Sequence, residues 1–92
     1  MAKNFHVREK QKGRDSVVFQ LVGDFDASSA CELITALSQG IHKNRNITIG
    51  TDRLRAINDF GLDVFLTQMT RLKHTRADIK VTGRFSENFR EC

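Results

Sequence analysis

The chain has 92 residues, a formal net charge of +4, 39% hydrophobic residues and 28% charged residues. A chain of this length builds one hydrophobic core, so a single domain over 1–92 is expected and a second domain is excluded. These proportions are those of a globular protein, which excludes wholesale disorder. No apolar run approaches the length of a membrane span, and the first residues, MAKNFHVREK, include no apolar signal segment. A cytoplasmic protein is therefore expected.

Residues that often carry chemistry are scattered in this sequence. The three histidines and two cysteines fall on separate predicted elements without the spacing of metal ligands. The sequence also has no nucleophile elbow, Walker loop or dinucleotide-binding glycine pattern. No metal, no cofactor and no enzymatic activity are therefore expected. The basic residues, concentrated at 3–14 and 71–84, favour either an anionic partner or a solvated surface.

The first part of the chain predicts a hairpin of two strands. Residues 4–9 alternate loosely between polar and apolar and predict the first strand. The polar segment 10–16 contains Gly13 and predicts the turn. The apolar, valine-rich run 17–22 then predicts a central strand that ends at Gly23.

A first helix is predicted to open at Asp26-Ala-Ser-Ser. Ser29 and Glu32 have the spacing of a capping box, in which each side chain accepts a hydrogen bond from a free amide at the helix start. Apolar residues then recur at intervals of three and four, which predicts one buried stripe: Ala30, Leu33, Ile34, Leu37 and Ile41. Gly40 is the predicted terminator of this helix.

The second half of the chain predicts alternating strands and helices. In chain order these are a strand at 46–50, a polar loop at 51–59, a helix at 60–74, a strand at 79–82 and a short final helix at 87–91. The order β-β-α-β-α-β-α predicts an α/β fold. Its sheet is expected to be mixed, mostly parallel and four-stranded, with helices packed against it.

The segment 47–66 leads from a strand through a loop into the start of a helix. Asp59 is predicted at or beside the N-cap, and Gly61 lies just inside the helix. A helix start presents unpaired backbone amides at the positive end of the helix dipole, and Gly61 lets another backbone or a partner side chain come close. The sequence therefore predicts a recognition surface here. The competing interpretation of Asp59 is an ordinary helix cap.

Four segments, taken in order, resemble the STAS family, which includes bacterial anti-sigma factor antagonists and the cytoplasmic tails of sulfate transporters. They are the run LVGDFD at 21–26, the strand ITI at 47–49, the turn INDFGL at 57–62 and the strand DIKVTG at 78–83. This resemblance covers nearly the whole chain, and it implies a STAS-like fold.

In the antagonist branch of that family the turn reads Asp-Ser-x-Gly, and its Ser is phosphorylated by a partner kinase that is also the anti-sigma factor. By this resemblance Asn58 stands at the Asp and Asp59 at the phosphorylatable Ser. Phe60 stands at the variable position and Gly61 at the Gly. Gly50 replaces an Asp that is common at the end of the third strand. Because Asp59 has no hydroxyl, the usual phosphorylation switch cannot operate at this position, so the site is expected either to be fixed in a partly phospho-like state or not to be a switch.

The resemblance implies a non-catalytic regulatory domain that binds a GHKL-type kinase/anti-sigma factor through the loop and helix start at 51–62. Phe60 and Gly61 are expected in the centre of the contact, and two arginines at its rim. The full expected set is Arg53, Arg55, Asn58, Asp59, Phe60, Gly61, Asp24, Asp26 and Ser28. An alternative is the accessory STAS subunit of a membrane transporter, docking on the ATPase. A homodimer is also compatible with the sequence.

A third interpretation of the sequence is an RNA-binding domain. The run FQLVGDF at 19–25 loosely imitates the first signature strand of an RNA-recognition motif, and the chain is basic. That fold needs a second strand with exposed aromatic residues for base stacking, whereas NITIG at 46–50 has none. RNA binding is therefore the least favoured of the three functions.

Overall fold

A computed structural model of the chain describes residues 4–72 and 77–89. Its elements, in chain order, are β1 (His6–Gln11), β2 (Ser16–Phe25), α1 (Ala27–Gly40), β3 (Asn46–Ile57), α2 (Asp59–Leu72) and β4 (Asp78–Thr82). Among these residues, neither helix has the length and apolar character that a membrane span requires.

The four strands form one sheet in the order β1-β2-β3-β4. β1 and β2 pair antiparallel as a hairpin, whereas β2 with β3 and β3 with β4 pair parallel. Crossovers between parallel strands are almost always right-handed, and these strands add to the sheet in one direction. Both helices therefore lie on the same face of the sheet. The prediction of an α/β fold with a mixed, mostly parallel sheet is confirmed.

The core lies between that face and the two helices. Alternate residues of β2 point into it, so Val17, Phe19, Leu21 and Phe25 are all buried. Facing them is the predicted stripe of α1, of which Ala30, Leu33 and Leu37 are fully buried and Ile34 and Ile41 are half-buried. Each fully buried Leu or Phe stabilises the fold by about 1.5–3 kcal/mol.

Four phenylalanines form an aromatic cluster beneath the carboxyl end of β2. The ring of Phe25 meets those of Phe5, Phe65 and Phe89 edge-on, with centroids 5.9, 6.0 and 5.0 Å away. Phe65 and Phe89 also meet each other at 5.4 Å. Edge-to-face pairs of this kind contribute about 0.5–1.5 kcal/mol beyond the area they bury. The cluster fixes the end of β2 against the start of α2.

The polar loop predicted at 51–59 is wrong, because β3 continues through this segment to Ile57. The 12 residues of β3 pair with only 10 residues of β2, and the register shifts twice, between Gln20 and Val22 and between Gly23 and Asp24. Such β-bulges interrupt the alternation of buried and exposed residues. The segment thus loses the period of two by which strands are predicted, although Leu54 is fully buried.

The final helix predicted at 87–91 is also not found at 87–89, the part of it that the structure describes. Residues 83–89 form turns, closed by hydrogen bonds from the Ser86 amide to the Gly83 carbonyl (3.1 Å) and from the Asn88 amide to the Phe85 carbonyl (3.0 Å). The Phe85 amide donates instead to the buried hydroxyl of Thr51 at 3.0 Å, which fixes the turn against β3. Residues 90–91, like 73–74 at the predicted end of the second helix, lie outside the described residues.

Candidate functional site

The candidate site lies where β2 and β3 end and the two helices begin. The carboxyl ends of parallel strands meet at one edge of a sheet, so the helices that follow them start side by side. The Asn58 amide donates to the carbonyl of Phe25 at 2.8 Å, which ties the two strand ends together. The sequence-predicted residues from 24–28 and from 58–61 are thereby brought to the same edge.

The start of α1 is capped by Asp26. Its Oδ1 accepts from the Ser29 amide at 3.0 Å and from the Ser28 hydroxyl at 2.8 Å. These donors, the Ser29 amide foremost, stabilise the carboxylate and lower the pKa of Asp26 to about 2. The predicted capping box of Ser29 with Glu32 is wrong, because β2 ends at Phe25 and the cap falls on the next residue.

The start of α2 is capped by a neutral side chain. The Oδ1 of Asn58 accepts from the Gly61 amide at 3.1 Å, so Asn58 satisfies one of the free amides of the first turn. Asp59 is the first residue of the helix and is exposed, beside the cap as expected. Phe60 follows it, with 66% of its surface exposed, and it is the one large hydrophobic residue exposed in the described part of the chain.

Gly61 is where the two helix starts touch. A Cβ at this position would lie 2.6 Å from the carbonyl carbon and 2.8 Å from the Cα of Asp26. Only glycine permits this approach of two backbones. Gly61 is buried, and the expectation that it lies in the centre of a contact with a partner is replaced by a role in joining α1 and α2.

The two arginines of the expected set lie apart. Arg55 forms a bidentate ion pair with Asp24, Nε to Oδ1 at 3.1 Å and Nη2 to Oδ2 at 2.8 Å. This pair, mainly through its hydrogen bonds, lowers the pKa of Asp24 and raises that of Arg55. Arg53 pairs with Val22, further back along the strands. Of the two, only Arg55 lies at the end of the sheet with a carboxylate already attached.

Between the two helix starts is a shallow hollow lined by Asp26, Ala27, Ser28, Asn58 and Phe60. The lowered pKa of Asp26 keeps its carboxylate ionised at neutral pH, where it accepts from the Ser28 hydroxyl. The hollow is polar on the side of these two residues and of Asn58, and aromatic on the side of Phe60. Ala27 is the one lining residue that the sequence did not point to.

Comparison with solved structures identifies the fold. The anti-sigma factor antagonist SpoIIAA in its unphosphorylated form superposes on 83% of this chain and 71% of its own, with a TM-score of 0.63 and 19% identity. The chain has a STAS-like fold. The resemblance found in the sequence is thereby confirmed at the level of the fold.

Two crystal structures of Mglu are also similar, one of them of the native form. The first matches 84% of this chain with a TM-score of 0.71 and 20% identity, and the second 82% with a TM-score of 0.63 and 18% identity. This chain spans only 19% and 23% of those two chains, about a fifth of their length. No protein-family model and no curated protein matches the sequence.

Proposed function

We propose that this STAS-like domain is a non-catalytic regulatory module that binds a GHKL-type kinase/anti-sigma factor at the edge where α1 and α2 begin. The observation that carries the proposal is Phe60, which leaves 66% of its surface in water beside a polar hollow. The proposed binding surface consists of Asp24, Asp26, Ser28, Arg53, Arg55, Asn58, Asp59 and Phe60. Gly61 positions the two helices beneath it.

Phe60 supplies the affinity in this proposal. Burying a phenylalanine side chain contributes about 1.5–3 kcal/mol, so covering the exposed two thirds of Phe60 contributes about 1–2 kcal/mol. An aromatic anchor ringed by polar groups has the composition of an interface hot spot. The neighbouring carboxamide of Asn58 and carboxylate of Asp59 are exposed and supply the polar contacts around it.

Asp59 acts in this proposal as a fixed contact and not as a switch. A carboxylate carries one negative charge, whereas a phosphoserine carries about −1.5 to −2 and three acceptor oxygens. Its place in the first turn of α2 puts the carboxylate at the positive end of the helix dipole, where a negative charge is favourable. The partner would therefore meet a carboxylate at the position where the family's phosphorylated Ser stands.

The test compares two alanine variants of the purified domain against the GHKL-type anti-sigma kinases of the same genome. Phe60→Ala removes the proposed anchor, and we expect its affinity, measured by calorimetry, to fall about tenfold. Gln39→Ala is the control, because Gln39 is exposed near the other end of α1. Both side chains are exposed, so both variants should keep the wild-type free energy of unfolding within about 0.5 kcal/mol.

Three results would contradict the proposal. They are no binding to any such kinase, equal binding by Phe60→Ala and wild type, and equal loss in both variants. If the domain bound a transporter ATPase in place of a kinase, with the same dependence on Phe60, the proposed surface would stand and the proposed partner would be wrong. Variants of Gly61 are unsuitable here, since they disturb the contact with Asp26.

A further inference from the structure

The side of the sheet that faces away from the helices is left uncovered by the topology. Both crossovers lie on the face that contains Phe19 and Phe25, and the turn at 83–89 returns to that same face through Phe89. No described element packs on the opposite side. All-parallel sheets are nearly always covered on both faces, whereas this mixed sheet leaves one side accessible in the described part of the chain.

Strand register defines the surface, here called the open face. One row across the four strands runs from Lys10 through Val18 and Thr48 to Lys80. The next row begins with Arg8 and passes Gln20 to Gly50, where a Cβ would meet no atom closer than 4.0 Å. The centre of the open face is therefore shallow and half-buried, and its outer strands carry long cationic side chains.

The open face carries an excess of positive charge. Four exposed cations lie on it, and none forms an ion pair with a described residue: Arg8, Lys10, Arg53 and Lys80. The acids of this side are Asp24, which is held by Arg55, exposed Asp52, which adjoins Arg53, and Asp78, which begins β4. The cations of the open face outnumber these acids, so an anionic occupant is complementary to this side.

The dimensions of the open face fit one kind of occupant. Lys10 and Lys80 are three strand spacings apart, about 14 Å. An α-helix with its side chains is about 10–12 Å across, so it fits between them. Val18 and Val22, half-buried on either side of Gln20, offer apolar contacts to one side of such a helix, while the lysines reach its flanks.

We propose that the open face binds an amphipathic α-helix of a partner protein, with an apolar stripe towards Val18 and Val22 and acidic residues along both flanks. A nucleic acid is less suited, because Phe19 and Phe25 are buried and His6, at one end of β1, is the one ring on the described open face on which a base could stack. A membrane is less suited, because the two valines are half-buried and no large apolar side chain stands out from the face.

The experiment uses the domain and a fluorescent synthetic peptide of about twenty residues, with leucines on one helical face and glutamates on both flanks. Arg8→Glu/Lys80→Glu reverses two charges of the open face and should weaken binding at least about tenfold. Lys43→Glu/Arg71→Glu makes the same change in net charge at exposed positions away from this face and should bind as the wild type does. Phe60→Ala should bind the peptide as the wild type does, because Phe60 is not on the open face; Arg53, which belongs to both surfaces, is left unchanged in all variants.

Circular dichroism melts establish that the charge-reversal variants are folded. Several outcomes would overturn the proposal: no binding of the peptide, equal weakening by both double variants, or equal binding of polyglutamate. Equal or tighter binding of a thymidine oligonucleotide or of phosphatidylserine vesicles would assign the face to those ligands instead. Self-association that only Arg8→Glu/Lys80→Glu abolishes would assign it to a second copy of the chain.

Discussion

The two helices begin side by side, yet their first turns differ in what they expose. At α1 the cap is a charged carboxylate, and the hydroxyls of Ser28 and Ser29 lie within 3.1 Å of the carboxylate of Asp26. At α2 the cap is the neutral Asn58, and the next two residues, Asp59 and Phe60, are exposed. The first start is closed by its own hydrogen bonds, whereas the second leaves side chains available to a partner. Two structurally equivalent helix starts thus differ in exposure, and it is the second, with its exposed side chains, that we propose for recognition.

The largest expected effect comes from the residue that joins the two starts. Gly61→Ala places a methyl group 2.6 Å from the Asp26 carbonyl carbon, so the helices must separate. We expect the free energy of unfolding, measured with urea, to fall by about 2–3 kcal/mol. Gly50→Ala is the matched control, because its Cβ has open space, and it should be neutral or slightly stabilising. Equal stability of the two variants would show that the helices are not held this closely.

A smaller effect is expected in the pH dependence of the free energy of unfolding, to which the charged cap of α1 contributes and the neutral cap of α2 does not. The folded pKa of Asp26, about 2, lies below its value in an unfolded chain, about 3.9. Its contribution is therefore fully present above about pH 5 and is lost as the pH falls from there to about 2. Unfolding free energies measured across this range should decline less steeply in Asp26→Asn than in the wild type.

Asn58→Ser provides the contrast for that experiment. Neither Asn nor the Ser that replaces it titrates in this pH range, so the substitution should change the free energy of unfolding by the same amount at every pH. A decline as steep in Asp26→Asn as in the wild type would remove the distinction between a charged and a neutral cap.

The smallest effect on stability is expected at the exposed residue of α2. Asp59→Ser restores a hydroxyl at the position that matches the family's phosphorylated Ser, and it should change stability by no more than about 0.5 kcal/mol. Incubation with ATP and a GHKL-type kinase that binds the domain should then label Ser at this position in the variant, as read by mass spectrometry. The wild type, with Asp59, is the control. If the variant still bound the kinase but was not labelled, this turn would not be a phosphorylation site even with a hydroxyl at position 59.

The sequence predicted the parts of the fold in which hydrophobic periodicity is regular. The apolar, valine-rich run of β2 and the three-and-four spacing in α1 both reflect burial in the core, so both elements were recognised. In β3 two bulges break the alternation after Thr51, and the segment resembled a loop until its partner strand was known. Bulges depend on the register with a neighbour, which local sequence does not contain.

The candidate site was predicted only in its location. The helix start follows from local sequence, because cap residues depend on near neighbours. The exposure of Phe60 was not predicted and is seen only in the structure. The contact of Gly61 with Asp26 and the ion pair of Arg55 with Asp24 join residues more than 30 positions apart. Such pairs are decided by how the strands and helices stack, so the sequence did not distinguish a buried glycine from an exposed one.

The one-sided packing of this fold has a practical consequence. Since the core is built from a single side of each strand, outward positions such as Val18, Gln20 and Thr48 can be varied without repacking it. The backbone is thus a small scaffold on which a combinatorial library of surfaces could be displayed while the hydrophobic interior stays constant.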